Sequence, residues 1–254
     1  VKKLGIDALV AIGGEDTLGV AHKLAAKGLK VVGVPKTIDN DLSSTDVTLG
    51  FDSAVNVSMD MIDRSRTTAA SHDRVIVVEV MGRHAGWIAI QAGLAAGADL
   101  VLIPEHPFDL DEVCQHVKKA VDAKGSGVVV VAEGATMKTS PGAISKESGV
   151  DEFGHVRLGG VGEFLADEIE KRTGLETRSV TLGHFVRGGS PSAFDRVLAT
   201  RFGVAAVDLV KEGKFDMMVS LRGTRIVPVK LEEAVAKLKT VDDALFNAVR
   251  TFFE

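Results

Sequence analysis

A cation, a hydroxyl group and two carboxylates stand close together near the start of the chain. Residues 35–41 follow an apolar run and carry Lys36, Thr37, Asp39 and Asp41. Two carboxylates at this spacing can hold Mg²⁺ and can accept the proton of a hydroxyl group, which are two tasks of phosphoryl transfer. The alternative is a solvated turn, because Asp and Asn shape turns without any catalysis. These residues alone leave both interpretations open.

A second stretch has residue types that suit a phosphate. Gly13 and Gly14 end the preceding apolar run. Glycines let backbone N–H groups approach a phosphate closely, and the helix predicted to follow adds its positive N-terminus. The same glycines also occur in ordinary strand-to-helix turns. The next three residues are Glu15, Asp16 and Thr17. Their two carboxylates cost free energy beside a phosphate unless a cation offsets them, and Mg²⁺ and Lys36 are the candidates.

Polar residues also follow two later apolar runs, at residues 81–86 and 183–189. Because the carboxyl ends of parallel strands share one edge of a sheet, we expect all four polar stretches to form one cleft. His184 is a candidate donor to a sugar hydroxyl or phosphate, and Glu133 is a candidate acceptor. A histidine bonded to backbone and an ion pair at the sheet edge are the alternatives.

Four arginines stand at the predicted starts or ends of strands rather than on helix faces. They are Arg74, Arg83, Arg178 and Arg187. The guanidinium fork suits phosphate oxygens, which it can bind in a bidentate manner. Any one of them could be an ordinary surface arginine, but their common placement favours an anionic ligand.

Apolar runs and helical patterns alternate along the chain. This order predicts a doubly wound α/β fold of mostly parallel sheets with helices on both faces. The predicted strands cover residues 8–12, 30–34, 74–80, 99–103, 128–132, 178–182, 217–220 and 226–229. The predicted helices cover residues 17–26, 52–66, 87–96, 110–123 and 161–172, a long helix with Pro191 in its first turn, and the C-terminal end. Residues 136–158 are polar and predict a mobile loop. Asp99, Asp195 and His155 are assigned to structure or surface.

Composition limits the classes of function. The 254 residues are 45% hydrophobic and 26% charged, which is ordinary for a globular chain long enough for two lobes. A net charge of −5 gives no global basic field for nucleic acid. No apolar run approaches the ~20 residues of a membrane span. The single cysteine, Cys114, suits a reducing cytoplasm.

Taken together and in this order, the motifs resemble the 6-phosphofructokinase family. The matching stretches are residues 13–17, 35–41, 50–52, 81–87, 132–134 and 182–196. The resemblance covers nearly the whole chain, and three of these stretches are specific enough to indicate the family singly. Members of the family begin with a further strand and a glycine-rich loop. Because this chain starts at Val1 without that portion, we expect an N-terminally incomplete piece of a longer enzyme.

The resemblance implies a role for each matching residue. Asp39 is the expected catalytic base toward the 1-hydroxyl of fructose 6-phosphate, and Arg83 is expected to stabilise the phosphoryl group in transfer. Thr37 and Asp41 flank the base and bind substrate or metal, and Glu15 is linked to Mg²⁺. The further fructose 6-phosphate contacts are Met81, Gly82, Glu133, Arg178, His184 and Arg187.

The resemblance also implies an assembly and a division of the chain. Arg74 matches an arginine that reaches into a neighbouring subunit's site, so we expect a homodimer or homotetramer. Residues 1–50 with 186–236 would form a donor-binding lobe, and residues 51–185 with 237–254 a fructose 6-phosphate lobe. These boundaries are approximate, because the sequence shows no linker between lobes.

The expected donor-binding residues are Gly13, Gly14, Asp16, Thr17 and Lys36. Two of them, Asp16 and Lys36, predict which phosphoryl donor the protein uses. ATP-using members commonly carry glycine where Asp16 and Lys36 stand. A carboxylate at Asp16 would crowd and repel the α-phosphate of a nucleotide, and Lys36 would add a cation for a compact diphosphate. The pair resembles the pyrophosphate-dependent branch. We therefore expect reversible, Mg²⁺-dependent transfer from pyrophosphate to fructose 6-phosphate, a step of glycolysis, with ATP as the alternative donor.

Two other interpretations compete with this one. The glycine pair with Glu15 and Thr17 also resembles the NAD kinase and lipid kinase group, but residues 81–87 and 184–187 do not fit that group. A regulatory subunit that binds a sugar phosphate without transfer is the non-enzyme alternative. Asp39, Thr37 and Arg83 speak against it, because a pure binder needs no base.

Overall fold

The computed structural model describes residues 2–139 and 159–251. Within them the strands are β1 (Leu9–Gly13), β2 (Val31–Thr37), β3 (Leu49–Gly50), β4 (Val75–Val80), β5 (Leu100–Leu102), β6 (Gly127–Ala132), β7 (Thr177–Thr181), β8 (Met217–Arg222) and β9 (Arg225–Lys230). The α-helices are α1 (Glu15–Ala25), α2 (Phe51–Ser71), α3 (Trp87–Ala95), α4 (Leu110–Lys124), α5 (Val161–Thr173), α6 (Ala193–Lys211), α7 (Leu231–Val235) and α8 (Asp243–Arg250). The predicted α/β fold with mostly parallel sheets is confirmed.

The chain divides into two units, each with its own sheet. The first unit consists of Val1–Ser53 and Gly189–Lys239, and the second of Ala54–Gly188 and Thr240–Glu254. Both are built from two separate stretches of chain. The assignment of the phosphoryl donor to one lobe and the sugar to the other stays a prediction.

The sheet of the first unit has the order β1-β2-β8-β9, with the short β3 beside β2. All its pairings are parallel except the β8–β9 hairpin. Residues 31–35 of β2 are apolar and buried because helices cover both faces of the sheet, with Leu18 of α1 on one face and Phe202 of α6 on the other. The close packing leaves no room at Gly33, where a Cβ would lie 2.7 Å from Leu231 Cδ2.

Three predicted boundaries in the first unit are wrong. β2 does not end at Val34 but continues through Thr37, because β3 gives it a parallel partner in the register Thr37 to Gly50. Helix α1 begins two residues earlier than predicted, at Glu15. Pro191 is not in the first turn of α6. The helix begins at Ala193 and Ser192 is its N-cap, since the Ser192 side chain accepts a hydrogen bond from the N–H of Asp195.

The sheet of the second unit is entirely parallel, in the order β5-β6-β4-β7. β4 and β6 are buried along their whole length. Helices α4 and α5 cover one face of the sheet, where Val117 and Leu165 pack against Val129 and Val131. The opposite face is met by α3, where a Cβ at Gly93 would lie 2.5 Å from Val101 Cγ2.

The prediction that four polar stretches share one sheet edge is wrong. Residues 13–17 and 35–41 lie at the ends of strands of the first sheet, whereas residues 81–86 and 183–189 follow strands of the second sheet. The sequence pattern places each polar stretch at or near the end of a strand, but it carries no signal for which sheet a strand joins. Of the predicted loop at 136–158, residues 140–158 lie outside the described residues, and so does His155.

Two aspartates assigned to structure have structural partners. Asp195 is 4% exposed, and its carboxylate accepts from the backbone N–H groups of Gly50 and Ser53 at 3.0 and 2.9 Å. Asp99 accepts from the N–H of Val128 at 2.9 Å and from Lys124 Nζ at 2.6 Å.

In the part of the chain that the structure describes, no helix has the length and apolar character to span a bilayer.

Candidate active site

The turn after β1 brings two glycines against the end of β2. A Cβ added at Gly13 would lie 2.4 Å from Thr17 Cβ, so a larger residue would force Thr17 to move. Gly14 is the N-cap of α1, and a Cβ there would lie 3.5 Å from Thr37 Cβ. The structure therefore brings Gly13, Gly14 and Thr17 together beside Thr37, at the carboxyl ends of two adjacent parallel strands.

Charged side chains surround this turn. Glu15 and Asp16 lie in the first turn of α1, where the positive end of the helix favours carboxylates. Lys36 projects from β2 directly after Pro35, which is paired with Gly13. All three side chains are exposed. Ligand groups that approach this edge of the sheet therefore meet both a cation and two carboxylates.

The hydroxyl group of Thr37 fixes the position of Asp39. Thr37 Oγ1 donates to Asp39 Oδ2 at 3.0 Å and accepts from the N–H of Asp39 at 3.1 Å. A hydroxyl group can form hydrogen bonds with both the backbone and the carboxylate of the second residue after it. Such a pair of bonds closes a small turn at the end of a strand. The Asp39 carboxylate is half-buried and is held in one orientation at the end of β2.

Asp41 carries a carboxylate in surroundings that disfavour its charge. Burial, the neighbouring Asp39 and the more distant Glu15 raise the pKa of Asp41 from 3.8 to about 6, although its own backbone N–H and Lys239 act in the opposite direction. Its Oδ1 atom is buried and has no hydrogen-bond partner. A cation at this point would satisfy both the charge and the unpaired oxygen.

These carboxylates fit a magnesium ion that is shared with a substrate. Among residues 2–139 and 159–251, no three His, Cys, Asp or Glu side chains already form a metal site. Mg²⁺ in phosphoryl-transfer enzymes commonly keeps several waters and takes one or two carboxylates together with substrate phosphates. Asp41, whose Oδ1 is buried without a hydrogen-bond partner, would supply one of these carboxylates.

The second unit gathers another set of predicted residues after β4 and β6. The turn at residues 81–83 follows β4, and Gly82 donates its N–H to Glu133 Oε1 at 3.5 Å. Gly82 has a φ of +149°, which favours glycine. A Cβ at Gly134 would lie 2.0 Å from the carbonyl oxygen of Arg83, so the close approach of the two turns requires glycine. Glu133 and the turn that carries Arg83 are thus held side by side.

The end of β7 joins the same group. Residues Gly183–Arg187 form a 3₁₀ helix that exposes His184 and Arg187. Arg187 donates from Nε to Met81 Sδ at 3.3 Å. The strand pairs Val80–Ala132 and Glu79–Thr181 place these three strand ends at one edge. Met81, Gly82, Arg83, Glu133, His184 and Arg187 therefore line the carboxyl edge of this sheet.

Arg74 and Arg178 are not brought to this group. Both lie at the amino edge of the sheet, where Arg74 Nη2 and Arg178 Nη2 reach Glu176 Oε1 at 2.9 and 2.7 Å. Arg178 Nη1 also lies 3.3 Å from Glu170 Oε2. Strand β4 separates the two edges by about 20 Å, at 3.3 Å per residue. These two arginines therefore face away from the Met81 turn of their own chain.

Sequence reasoning missed Asn40 and Lys239. Asn40 is 3% exposed and has a φ of +52° between Asp39 and Asp41. Lys239 donates from Nζ to Asn40 Oδ1 at 3.0 Å. Burial lowers the pKa of Lys239 from 10.5 to about 8, while Asp46 and Asp41 raise it. Asn is one of the few residues that adopt a left-handed conformation readily, which was an available signal, whereas no local pattern marks Lys239.

Comparison with known proteins gives the class to which this fold and these residues belong. The family model described as phosphofructokinase matches residues 1–210. The chain belongs to the phosphofructokinase family, whose members are phosphotransferases.

Particular relatives differ in the donor that their names give. The chain is 60% identical over 251 residues to the pyrophosphate–fructose 6-phosphate 1-phosphotransferase of Streptomyces coelicolor, with 98% of this chain and 73% of the relative covered. It is 54% identical to the ATP-dependent 6-phosphofructokinase of Mycobacterium leprae, with the same coverage. The solved pyrophosphate-dependent phosphofructokinase from Marinobacter aquaeolei superimposes with a TM-score of 0.82 at 26% identity, which covers 99% of this chain and 69% of that chain.

Proposed function

We propose that the protein transfers a phosphoryl group from pyrophosphate to the 1-hydroxyl of fructose 6-phosphate, which gives fructose 1,6-bisphosphate and orthophosphate. The reaction breaks the P–O–P bond of pyrophosphate and forms a bond between phosphorus and the sugar's O1. The observation that carries the proposal is the Thr37–Asp39 pair, which holds a carboxylate at the end of β2 beside the glycine turn at Gly13 and Gly14.

In this proposal Asp39 accepts the proton of the 1-hydroxyl as the oxygen attacks phosphorus. A general base needs hydrogen-bond reach and a fixed orientation, and Thr37 supplies the orientation. Thr37 is counted with the catalytic residues for this reason. The protein itself needs to form no covalent bond with the substrate. Phosphoryl transfer is accelerated chiefly by positioning the reactants and by neutralising charge on the phosphate oxygens.

The proposed sugar-phosphate site is the carboxyl edge of the second sheet. Met81, Gly82, Glu133, His184 and Arg187 lie there together, with carboxylate, imidazole and guanidinium groups for hydroxyls and phosphate. Arg83 is assigned to the phosphoryl group in transfer, since a guanidinium stabilises charge that develops on phosphate oxygens. Asp41 contributes to the binding of substrate or metal.

Pyrophosphate is the donor that the first unit supports best. The Asp16 carboxylate would repel the additional phosphate of a nucleotide, and Lys36 supplies a cation for the compact diphosphate. Gly13, Gly14 and Thr17 form the turn that would receive it. The greater identity to the Streptomyces coelicolor relative agrees with this choice. ATP is the second candidate, because a relative named as ATP-dependent is 54% identical.

Mg²⁺ is part of the proposal and would be held by Glu15 with Asp41. When bound, it would neutralise charge on the phosphate oxygens. The residues of the chain have separate tasks: Asp41 offers its unpaired Oδ1, and Thr37 keeps Asp39 directed at the hydroxyl group.

The active enzyme is proposed to be a homodimer or homotetramer with shared sites. Arg74 lies at the edge of its sheet opposite Met81, so it is suited to serve a neighbouring subunit rather than its own site. The position of Arg178 supports the same use. A cytoplasmic location completes the proposal and rests on the single cysteine and on glycolytic substrates.

Phosphorus NMR tests the proposed reaction directly. The protein is incubated with fructose 6-phosphate, pyrophosphate and Mg²⁺, and the spectra should show orthophosphate and fructose 1,6-bisphosphate forming in equal amounts. Adding the two products should regenerate pyrophosphate, because the step is reversible. An Asp39→Asn variant should bind fructose 6-phosphate and give no product. Binding without turnover by the unmodified protein would instead favour the regulatory subunit.

A further inference from the structure

The segment after β2 that carries the two aspartates is held in an unusual backbone conformation. Asn40 stands between Asp39 and Asp41 with a φ of +52°, in the left-handed region that few side chains adopt readily. Its Oδ1 atom accepts from the N–H of Thr48 at 3.1 Å. The conformation of this one residue sets the directions in which the two neighbouring carboxylates leave the chain.

Lys239, the last residue of the first unit, forms hydrogen bonds with this segment. Its Nζ donates to Asn40 Oδ1 at 3.0 Å and to the carbonyl oxygens of Thr45 and Asp46 at 2.9 Å each. These three acceptors match the three N–H groups of an ammonium. The backbone N–H of Lys239 also donates to the carbonyl oxygen of Asp41 at 2.7 Å. One residue therefore holds both Asn40 and Asp41.

Neighbouring contacts fix Lys239 itself. Leu238 forms an isolated antiparallel bridge with Leu42, which is 1% exposed. Ser43 Oγ donates to the carbonyl oxygen of Glu233 at 2.7 Å. The chain that follows α7 thus runs beside the aspartate segment and places the ammonium group against it.

The chemistry of the contacts argues for a role beyond stability. Three oxygens that accept from Lys239 Nζ belong to neutral groups, and the burial of an ammonium group is costly. What the ammonium provides is three directed hydrogen bonds that converge on the segment between Asp39 and Asp46.

We propose that Lys239 is a positioning residue for phosphoryl transfer, which fixes the Asp39 and Asp41 carboxylates by holding Asn40 and does not touch substrate. This inference rests on the function proposed above. Transfer is sensitive to such positioning, because a misplacement of about 1 Å can lower the rate roughly 100-fold.

Steady-state kinetics of Lys239→Met test the proposal in the forward reaction. We expect kcat to fall about 10- to 100-fold, while KM for fructose 6-phosphate changes less than about twofold, since uniform binding is not altered. Lys237→Met is the matched control, because Lys237 is exposed two residues earlier. It should keep the kcat of the unmodified protein.

A second variant keeps the proposal testable if Lys239→Met fails to fold. Asn40→Gly retains access to the left-handed conformation and removes the Oδ1 atom that Lys239 holds. It should lower kcat in the same way, and the double variant should lose little more than the larger single loss, because both remove one interaction.

The outcomes separate the possible explanations. A Lys239→Met protein with a lowered melting temperature and unchanged kcat well below that temperature would show a merely structural role and overturn the inference. Additive losses in the double variant would also overturn it. If the unmodified protein gives no transfer from pyrophosphate to fructose 6-phosphate, the proposed function has failed instead.

Discussion

Thr37 Oγ1 donates to Asp39 Oδ2 at 3.0 Å, and Thr37 Oγ1 also accepts from the backbone N–H of Asp39 at 3.1 Å. The hydroxyl group therefore bonds both the backbone and the carboxylate of Asp39, the residue that is proposed as the base. β3 extends β2 as far as Thr37, so the hydroxyl is presented from a strand rather than from a loop. The consequence is a carboxylate with one orientation before any substrate is bound.

Replacement of Thr37 separates the hydroxyl group from the shape of the side chain. Thr37→Val keeps the shape and removes both hydrogen bonds, so kcat should fall about 10- to 100-fold as Asp39 loses its orientation. Thr37→Ser keeps the hydroxyl and should retain kcat within about threefold, given the same geometry. Initial rates at saturating fructose 6-phosphate measure both. Equal rates for Val and Ser would refute the role of this hydroxyl.

Asp41 should reduce stability when it is ionised. Its pKa is about 6 in the folded protein and 3.8 ordinarily, so the folded state binds a proton more tightly between these values. The penalty is complete above pH 6 and disappears as pH falls toward 3.8. Without Mg²⁺ at pH 7, Asp41→Asn should raise the free energy of unfolding by roughly 1–3 kcal/mol.

Urea unfolding at several pH values checks this prediction. The advantage of Asp41→Asn should shrink below pH 6 and vanish near pH 4, while the variant has little activity at any pH. Added Mg²⁺ should stabilise the unmodified protein more than the variant. A constant difference between the two proteins from pH 4 to 8 would mean that the charge of Asp41 is not its cause.

Gly13 and Gly19 lie on either side of the first turn of α1 and should respond in opposite ways to alanine. Gly13→Ala would put a Cβ 2.4 Å from Thr17 Cβ, so it should lower stability and raise KM for pyrophosphate. Gly19 is helical with nothing within 4 Å of an added Cβ, so Gly19→Ala should stabilise by about 0.5–1 kcal/mol. Thermal melting and donor KM values test both. A tolerated Gly13→Ala would contradict the close packing.

Mixed oligomers test the proposed use of Arg74. Arg74→Ala and Asp39→Asn should each inactivate a homogeneous preparation. When the two are unfolded together and reassembled, hybrid oligomers should regain activity, because some sites then combine an intact Asp39 with an intact Arg74 from the neighbouring chain. If the activity of the mixture equals the summed activities of the two separate variants, Arg74 serves the site of its own chain.

The alternation of apolar runs and helical patterns was enough to predict the fold, and β4 shows why. Five of its six residues are apolar and all six are buried, which is typical of a parallel sheet between helices. What the pattern could not supply was the partner of each strand. β3 has only two residues, yet its pairing moves Thr37 from a predicted turn into β2.

The same limit applies to the candidate site. Each polar strand end was identifiable from residue types, and the contact between Arg187 and Met81 groups two of them as expected. Arg74 and Arg178 lie at the sheet edge opposite Met81, and that position depends on the register of the strands. The hydrogen bond from Lys239 to Asn40 joins residues that are 199 positions apart. No local spacing encodes either relationship.

The measurement that tests the central claim most directly is a comparison of initial rates with pyrophosphate and with ATP, at saturating fructose 6-phosphate and Mg²⁺, for the unmodified protein and Asp16→Gly. We predict rapid turnover with pyrophosphate, little with ATP, and a gain of ATP use in Asp16→Gly as the repulsion of the nucleotide is removed. Turnover of the unmodified protein with ATP and none with pyrophosphate would contradict the account.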